Sequence, residues 1–399
     1  MTGAPPSIET PAVPGTGPVP FSLAQLVGYF LWLGTTGFGG PIALAGHMQK
    51  DLVEERRWIS KEDYLEGLAL AQLMPGPLAA QLAIYLGWVK ARTAGATLVA
   101  LAFTLPSFLM VLALSWLYVR FGGLAWMRGA FYGIGAAVIA IIARSAVKLV
   151  KMTVGNDRLL WAIFAALGLV TAFTASEIMW LFLAAGILVL MVRAPPGMGP
   201  RSGLAGLLPA WLLTGLVGVA DPGLVWQIFL YFAEAGSFVF GSGLAIVPFL
   251  HGGVVDKFHW LSEQQFLDAV AVAMITPGPV VITVAFIGFL VAGVLGAAAA
   301  AVGVFLPCWV LVVIPAPHYR RIARNRQIKA FVAGVTSATT GAIAGSAIVL
   351  GRRAIADLPT AAIALATLAM LIWAKKVPEP LVILAAGLAG VAIRGLAGQ

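Results

Sequence analysis

Long apolar runs separated by short polar stretches follow one another along this chain from Phe21 to its last residues. Uninterrupted runs at about 94–119, 128–150, 158–175, 177–192, 205–220, 293–315, 328–351, 359–374 and 380–396 approach the ~20 residues that a helix needs to cross a bilayer. Four other runs are interrupted. The run from Phe21 to Gly46 contains Phe38-Gly39-Gly40-Pro41, and the run from Val225 to Leu250 contains Phe240-Gly241-Ser242-Gly243. A helix opened by Ser60-Lys61-Glu62-Asp63 runs into Pro75-Gly76-Pro77. Another, opened at Ser262 with Gln265 completing its capping box, runs into Thr276-Pro277-Gly278-Pro279. Proline removes a backbone N–H and clashes with the preceding turn, and glycine adds freedom, so each Pro-Gly-Pro breaks its helix. At membrane depth such breaks survive only where protein covers them or a watery cavity receives them. Two matched pairs of breaks, one in each half, are the sequence pattern of a transporter's binding site.

The halves are copies. Phe38 and Phe240, Trp58 and Trp260, Ser60 and Ser262, Pro75 and Pro277 all stand 202 residues apart. Leu105-Pro106 and Leu306-Pro307 stand 201 apart, as do Ser145 and Ser346. A constant offset over separate features marks an internal duplication. The expected organisation is a disordered Pro-rich tail at 1–20 with no signal-peptide pattern, a first repeat at 21–200, a linking span at 201–222 and a second repeat at 223–399. Six spans per half and one between make thirteen, and the odd separation of equivalent helices turns the halves oppositely in the bilayer; a re-entrant Pro-Gly-Pro segment would change the count. The predicted fold class is therefore an all-α polytopic membrane protein: two homologous inverted-topology repeats of about six helices each plus a linking helix, with helices broken at mid-membrane. Lys and Arg concentrate on one set of loops, which puts the N-terminus inside and the C-terminus outside. One loop runs against this: Lys50, Arg56, Arg57 and Lys61 fall on the predicted outer side.

Composition agrees with a membrane chain. Of 399 residues, 60% are apolar and 10% charged, where soluble domains carry about 25% charged. Mean hydropathy is +0.96. The net charge of +9 does not indicate a nucleic-acid partner, because the cations lie between apolar runs and form no basic face. The single cysteine, Cys308, sits in an apolar run and allows no intrachain disulfide. The four histidines show no metal-ligand spacing, and no P-loop or dinucleotide fingerprint is present, so no cofactor is expected.

The candidate chemistry gathers at the breaks. A half-helix that begins inside the membrane exposes unpaired N–H groups and about half a positive charge, which suits an anion without a basic side chain. The candidate binding residues are Phe38, Gly39, Gly40 and Pro41; Pro75, Gly76 and Pro77; Phe240, Gly241, Ser242 and Gly243; and Thr276, Pro277, Gly278 and Pro279. Gln72, Gln81 and Thr276 are placed to donate hydrogen bonds to an oxyanion, or to bond between helices. Glu66 and Asp268, again 202 apart, and Glu234, whose counterpart is Trp32, are candidate proton carriers; Glu66 and Asp268 also suit a helix N-terminus. Lys90, Arg92 and Arg144 read as headgroup-seeking cations or as counter-charges for a dianion. Gly341 and Gly345 read as a packing pair.

At these residues the chain resembles the chromate ion transporter family in its long two-domain form. The matching features are Phe38-Gly39-Gly40-Pro41, Pro75-Gly76-Pro77 continuing to Gln81, and Phe240-Gly241-Ser242-Gly243. Trp260-Leu261-Ser262 and Thr276-Pro277-Gly278-Pro279 with Phe286-Ile287-Gly288 complete the set. The resemblance spans 21–396. It implies a secondary transporter that exports chromate across a bacterial inner membrane and confers chromate resistance. A transporter or channel for sulfate or another oxyanion is the alternative. Its partners are then an oxyanion and the lipid bilayer; the sequence leaves a homodimer open. A membrane-embedded reductase would need a cofactor fold, a metal or a nucleophile–base pair, and the sequence offers none.

Overall fold

The computed structural model describes residues 19–38, 40–121, 125–174, 179–195, 223–237, 240–241, 246–319, 325–355, 357–373, 377 and 379–396. Residues 1–18 of the tail, the whole linking span, Gly39, Ser242 and Gly243 lie outside these residues. In the first repeat α1 (Leu23–Thr36) and α2 (Gly40–Met48) flank the first break, and a π-helical turn (Gln49–Glu55) follows. Next come α3 (Lys61–Leu73), β1 (Gly76–Pro77), α4 (Leu78–Phe121), α5 (Ala125–Thr153), α6 (Arg158–Thr174) and α7 (Met179–Arg193). The second repeat gives α8 (Leu224–Ser237), β2 (Phe240–Gly241), α9 (Ile246–His251), α10 (Glu263–Ile275), α11 (Thr283–Val313), α12 (Arg326–Ala354), α13 (Leu358–Trp373) and α14 (Glu379–Leu396).

The duplication reaches the backbone torsions. Arg57 and His259 both sit at φ 52°, Gly76 and Gly278 at 139° and 96°, and Arg92 and Gly293 at 51° and 60°. The last pair lies at a kink that divides α4, after Ala91, and α11, after Ala292, into two arms. Ser60 caps α3 without the reciprocal half of the box, and Ser262 caps α10 with both halves. Asp63 N donates to Ser60 Oγ at 3.0 Å, and Ser262 and Gln265 form the reciprocal box.

The path through the membrane follows from contacts at the surface ends. Phe21, at the entry to α1, stacks on Trp58 at 5.2 Å, and Val19 N donates to Arg57 O at 2.7 Å. Lys90, ending the first arm of α4, donates to Phe21 O and covers its ring. These points therefore share one face, the Lys90 face. With 14 and 13 residues, α1 and α3 rise only about 20 Å each, too short for a ~30 Å hydrocarbon core. So α1–α2 and α3 with the first arm of α4 are two hairpins that enter and leave by the same face. The second arm of α4 then crosses, and Tyr118 near its end meets Asp268, early in α10, at 2.7 Å. Hence α10 enters from the opposite face, and the second repeat is inverted.

Thirteen crossings were expected. In each repeat two apolar runs are re-entrant instead; among the described residues α4, α5, α11 and α12 are long and apolar enough to cross a membrane, and α6, α7 and α13 are shorter apolar helices. The loop with Lys50, Arg56, Arg57 and Lys61 thereby moves to the same face as Lys90, and its disagreement with the charge pattern disappears. Ion pairing of Arg193 with Asp157 keeps the end of α7 on that face.

Two bodies result. The eight re-entrant and kinked helices, α1–α4 and α8–α11, form a core. The other six exchange partners: α6 and α7 pack on α12 of the second repeat, while α13 and α14 pack on α5 of the first. Gly341 and Gly345 of α12 lie directly against Phe164 and Gly168 of α6, which confirms them as packing residues.

Candidate functional site

The breaks of the two repeats cross and complete each other. Proline removes donors on both sides of Gly76, so the chain leaves α3 in extended form, and β1 pairs in parallel with β2, Gly76 opposite Phe240 and Pro77 opposite Gly241. The equivalent crossing joins Gly278 N to Gly37 O at 2.7 Å. Gly278 is packed so closely that a Cβ would overlap Ser107 Oγ and approach Gly34 O; Ser107 Oγ itself donates to Gly34 O at 3.2 Å. Each Pro-Gly-Pro therefore sits against the glycine break of the other repeat.

Helix N-termini converge here. The start of α2 (Pro41, Leu44), the start of α4 (Pro77, Ala79) and the 3-10 turn opening α11 (Gly278, Pro279, Val280, Val281) line one small cavity of about 10 Å³. That is room for about one water. First-turn N–H groups lack intrahelical partners, and their dipoles point positive ends at this spot.

The polar side chains predicted near the breaks serve the backbone in this conformation. Gln81 is fully buried, and its Nε2 donates to Pro75 O at 2.6 Å and Met74 O at 3.3 Å. Its Oε1 meets no donor among the described residues. Thr276 Oγ1 donates to Val272 O at 2.7 Å. Gln72 is exposed on α3, as is Phe38 beside the first break. Glu234 lies half-buried on α8, under the influence of Lys257, and is not grouped with the other two acids.

Glu66 and Asp268 occupy equivalent places in unlike surroundings. Asp268 is 4% exposed; it accepts from Tyr118 Oη at 2.7 Å and Gln264 Nε2 at 2.8 Å. Glu66 accepts from Tyr85 Oη at 3.3 Å and lines an open cavity of about 610 Å³ on the Lys90 face. Asp63, Trp88, Arg92, His318 and Tyr319 share that cavity. Arg92 lies over the Trp88 ring at 4.3 Å, and Arg144, on α5, faces Glu379. Sequence reasoning did not single out Tyr118 and Tyr319, although they stand 201 residues apart, the offset already visible at Pro106 and Pro307.

A family model described as chromate transporter matches residues 24–190 and 226–391. The chain is 60% identical to the "Chromate transport protein" of Cupriavidus metallidurans, covering 93% of both chains. It is 56% identical to the "Probable chromate transport protein" of Synechococcus elongatus, over 93% of this chain and 95% of that one. To the "Chromate transport protein" of Pseudomonas aeruginosa it is 34% identical over 96% of each. No solved structure matches the chain.

Proposed function

The chain belongs to the chromate transporter family, and from that premise we propose that it is a secondary transporter exporting chromate from the cytoplasm across the inner membrane of a bacterium, so conferring chromate resistance. The observation that carries the reading is the convergence of three helix N-termini on one cavity at the crossed breaks. A doubly negative tetrahedron is stabilised there by backbone N–H groups and helix dipoles, without a buried cation that would hold it too tightly to release. The ligands are the breaks themselves: Phe38 to Pro41, Pro75 to Pro77, Phe240 to Gly243 and Thr276 to Pro279. Gly278 N–H is committed to Gly37, so the donors are the first-turn N–H groups of α2, α4 and the Val280 turn. Gln72, Gln81 and Thr276 join the anion when the crossing widens, and Gln81 and Thr276 then give up their present backbone acceptors.

Direction follows from charge. Lys50, Arg56, Arg57, Lys61, Lys90, Arg158 and Arg193 lie on the Lys90 face, against Arg120, Lys257, Arg352 and Arg394 on the other. The positive-inside rule makes the Lys90 face cytoplasmic, and the large cavity then opens to the cytoplasm. Expelling a dianion from a negative interior is favourable by about 4.6 kcal/mol per 100 mV, so export needs no ATP. Glu66, Asp268 and Glu234 are the proton carriers if export is coupled to proton entry.

Radiolabelled chromate uptake into inside-out vesicles tests the reading. Saturable, potential-driven uptake is expected, and excess sulfate should reduce it, because a site built on shape and charge scarcely separates the two oxyanions. Uptake equal to that of vesicles lacking the protein removes the chromate assignment. Insensitivity to a large sulfate excess removes the backbone site, and insensitivity to an imposed pH gradient removes the proton carriers.

A further inference from the structure

We propose that Tyr118–Asp268 and Tyr319–Glu66 are paired gates that close in alternation, and that the conformation described here has the first shut and the second open. The proposal rests on the transporter reading but not on the identity of the ion.

The two pairs are equivalent by the repeat, at offsets of 201 and 202 residues, and inversion puts them on opposite faces. Their states differ. Tyr118 Oη donates to Asp268 at 2.7 Å, and its ring packs edge-on against Phe131 of α5 and Phe286 of α11, at 5.4 and 5.2 Å. No hydrogen bond joins Tyr319 to Glu66 among the described residues. The carboxylate acts on Tyr319 electrostatically, and both border the cavity of about 610 Å³. The acid of one pair is thus sealed under its tyrosine, and the acid of the other lines an open cavity below its own.

Packing differs in the same sense. α5 and α14 pack on α10, the helix that carries Asp268, and α9 touches α12. The equivalent placements, α12 and α7 on α3 and α5 on α2, have no comparable packing among the described residues. The apolar core records it too. One cluster runs from α10 and α11 through α5 and α12 to Val382 and Ile383 of α14. Its counterpart stays within α1–α4 and the end of α11. Of the outer helices, α5, α12 and α14 therefore lean on the second repeat's hairpins and away from the first's. An inverted duplication has a mirror state in which the repeats exchange conformations. In that state Tyr319 Oη donates to Glu66, the cavity there closes, and its twin opens beside Asp268. Because either hydrogen bond has a charged acceptor, removing one shifts the ratio of the two states by about tenfold or more.

The test uses the full chain with Cys308→Ser, whose counterpart Ser107 is already serine, and single reporters Val89→Cys, in the open cavity, or Val291→Cys, its equivalent. Labelling by a membrane-impermeant maleimide is followed from each side of the membrane. Tyr118→Phe is expected to raise Val291→Cys labelling about tenfold from the Tyr118 face and to lower Val89→Cys labelling. Tyr319→Phe is expected to act oppositely, lowering the residual Val291→Cys labelling. Asp268→Asn, which keeps the side-chain volume, carries the first arm if Tyr118→Phe does not reach the membrane. Shifts in the same direction for both tyrosines, or none, overturn the proposal. Opposite shifts without chromate flux leave the gates standing and remove only the substrate.

Discussion

Gly278 and Gly293 both hold positive φ, for different reasons. At Gly293 a Cβ would meet nothing within 4 Å, so only the backbone demands glycine, and Gly293→Ala should cost about 1–3 kcal/mol. At Gly278 the same demand is joined by overlap with Ser107, and Gly278→Ala should cost more and abolish chromate flux; thermal unfolding beside vesicle uptake separates the two. Arg92 stands where the second repeat has Gly293, at φ 51° and ψ −139°, a region glycine enters freely and other residues do not. Arg92→Gly should therefore be more stable than Arg92→Ala by about 1 kcal/mol, read as a difference in Tm. Residue roles were the least legible part of the sequence. Gln81 and Thr276 were visible as polar groups beside a break. The carbonyls of Met74 and Pro75 that hold Gln81, and the helical carbonyl of Val272 that holds Thr276, leave no mark in a sequence. Tyr118 and Tyr319 were legible through the repeat offset alone, since neither adjoins a break.

At the scale of elements, helix ends and breaks were readable because capping and proline chemistry are local. Ser262→Ala should cost about 1 kcal/mol, measurable by thermal unfolding, and loosen the first turn of α10 beside Asp268. Re-entry at the Pro-Gly-Pro segments was an open alternative in the sequence, and the hairpins at Phe21–Gly46 and Val225–Leu250 were not readable, because two half-length arms joined by a glycine break look like one apolar run of crossing length. The misplaced loop at Lys50 to Lys61 was the available signal: cations on the wrong side are explained by a chain that turns back. Single cysteines in the Cys308→Ser background check this. Lys50→Cys and Lys90→Cys should label from one side of the membrane and Lys257→Cys from the other; labelling of Lys50→Cys and Lys90→Cys from opposite sides would refute the re-entrant path.

For the molecule as a whole, inversion was legible from parity and survives the change in crossings, because Tyr118 at the far end of α4 meets Asp268 at the start of α10 and so sets the halves opposed. What the sequence did not show is how far the halves interlock. β1 pairs with β2, Gly278 with Gly37, and each set of outer helices packs on the other repeat. Either half expressed alone should thus be degraded in the membrane, and both expressed together should recover flux; a stable, protease-resistant first half would contradict the exchange. The repeats accordingly do not swing apart as separate blocks.

The crossing has one more consequence. A bacterial membrane stores its energy as a proton gradient, and any protein pierced by a continuous file of water would drain it. At the crossed breaks the gap holds about one water, walled by Pro41, Leu44, Pro77, Ala79 and Val281. A gap of that size carries no continuous file of water, so in this conformation it opposes a proton leak along that path.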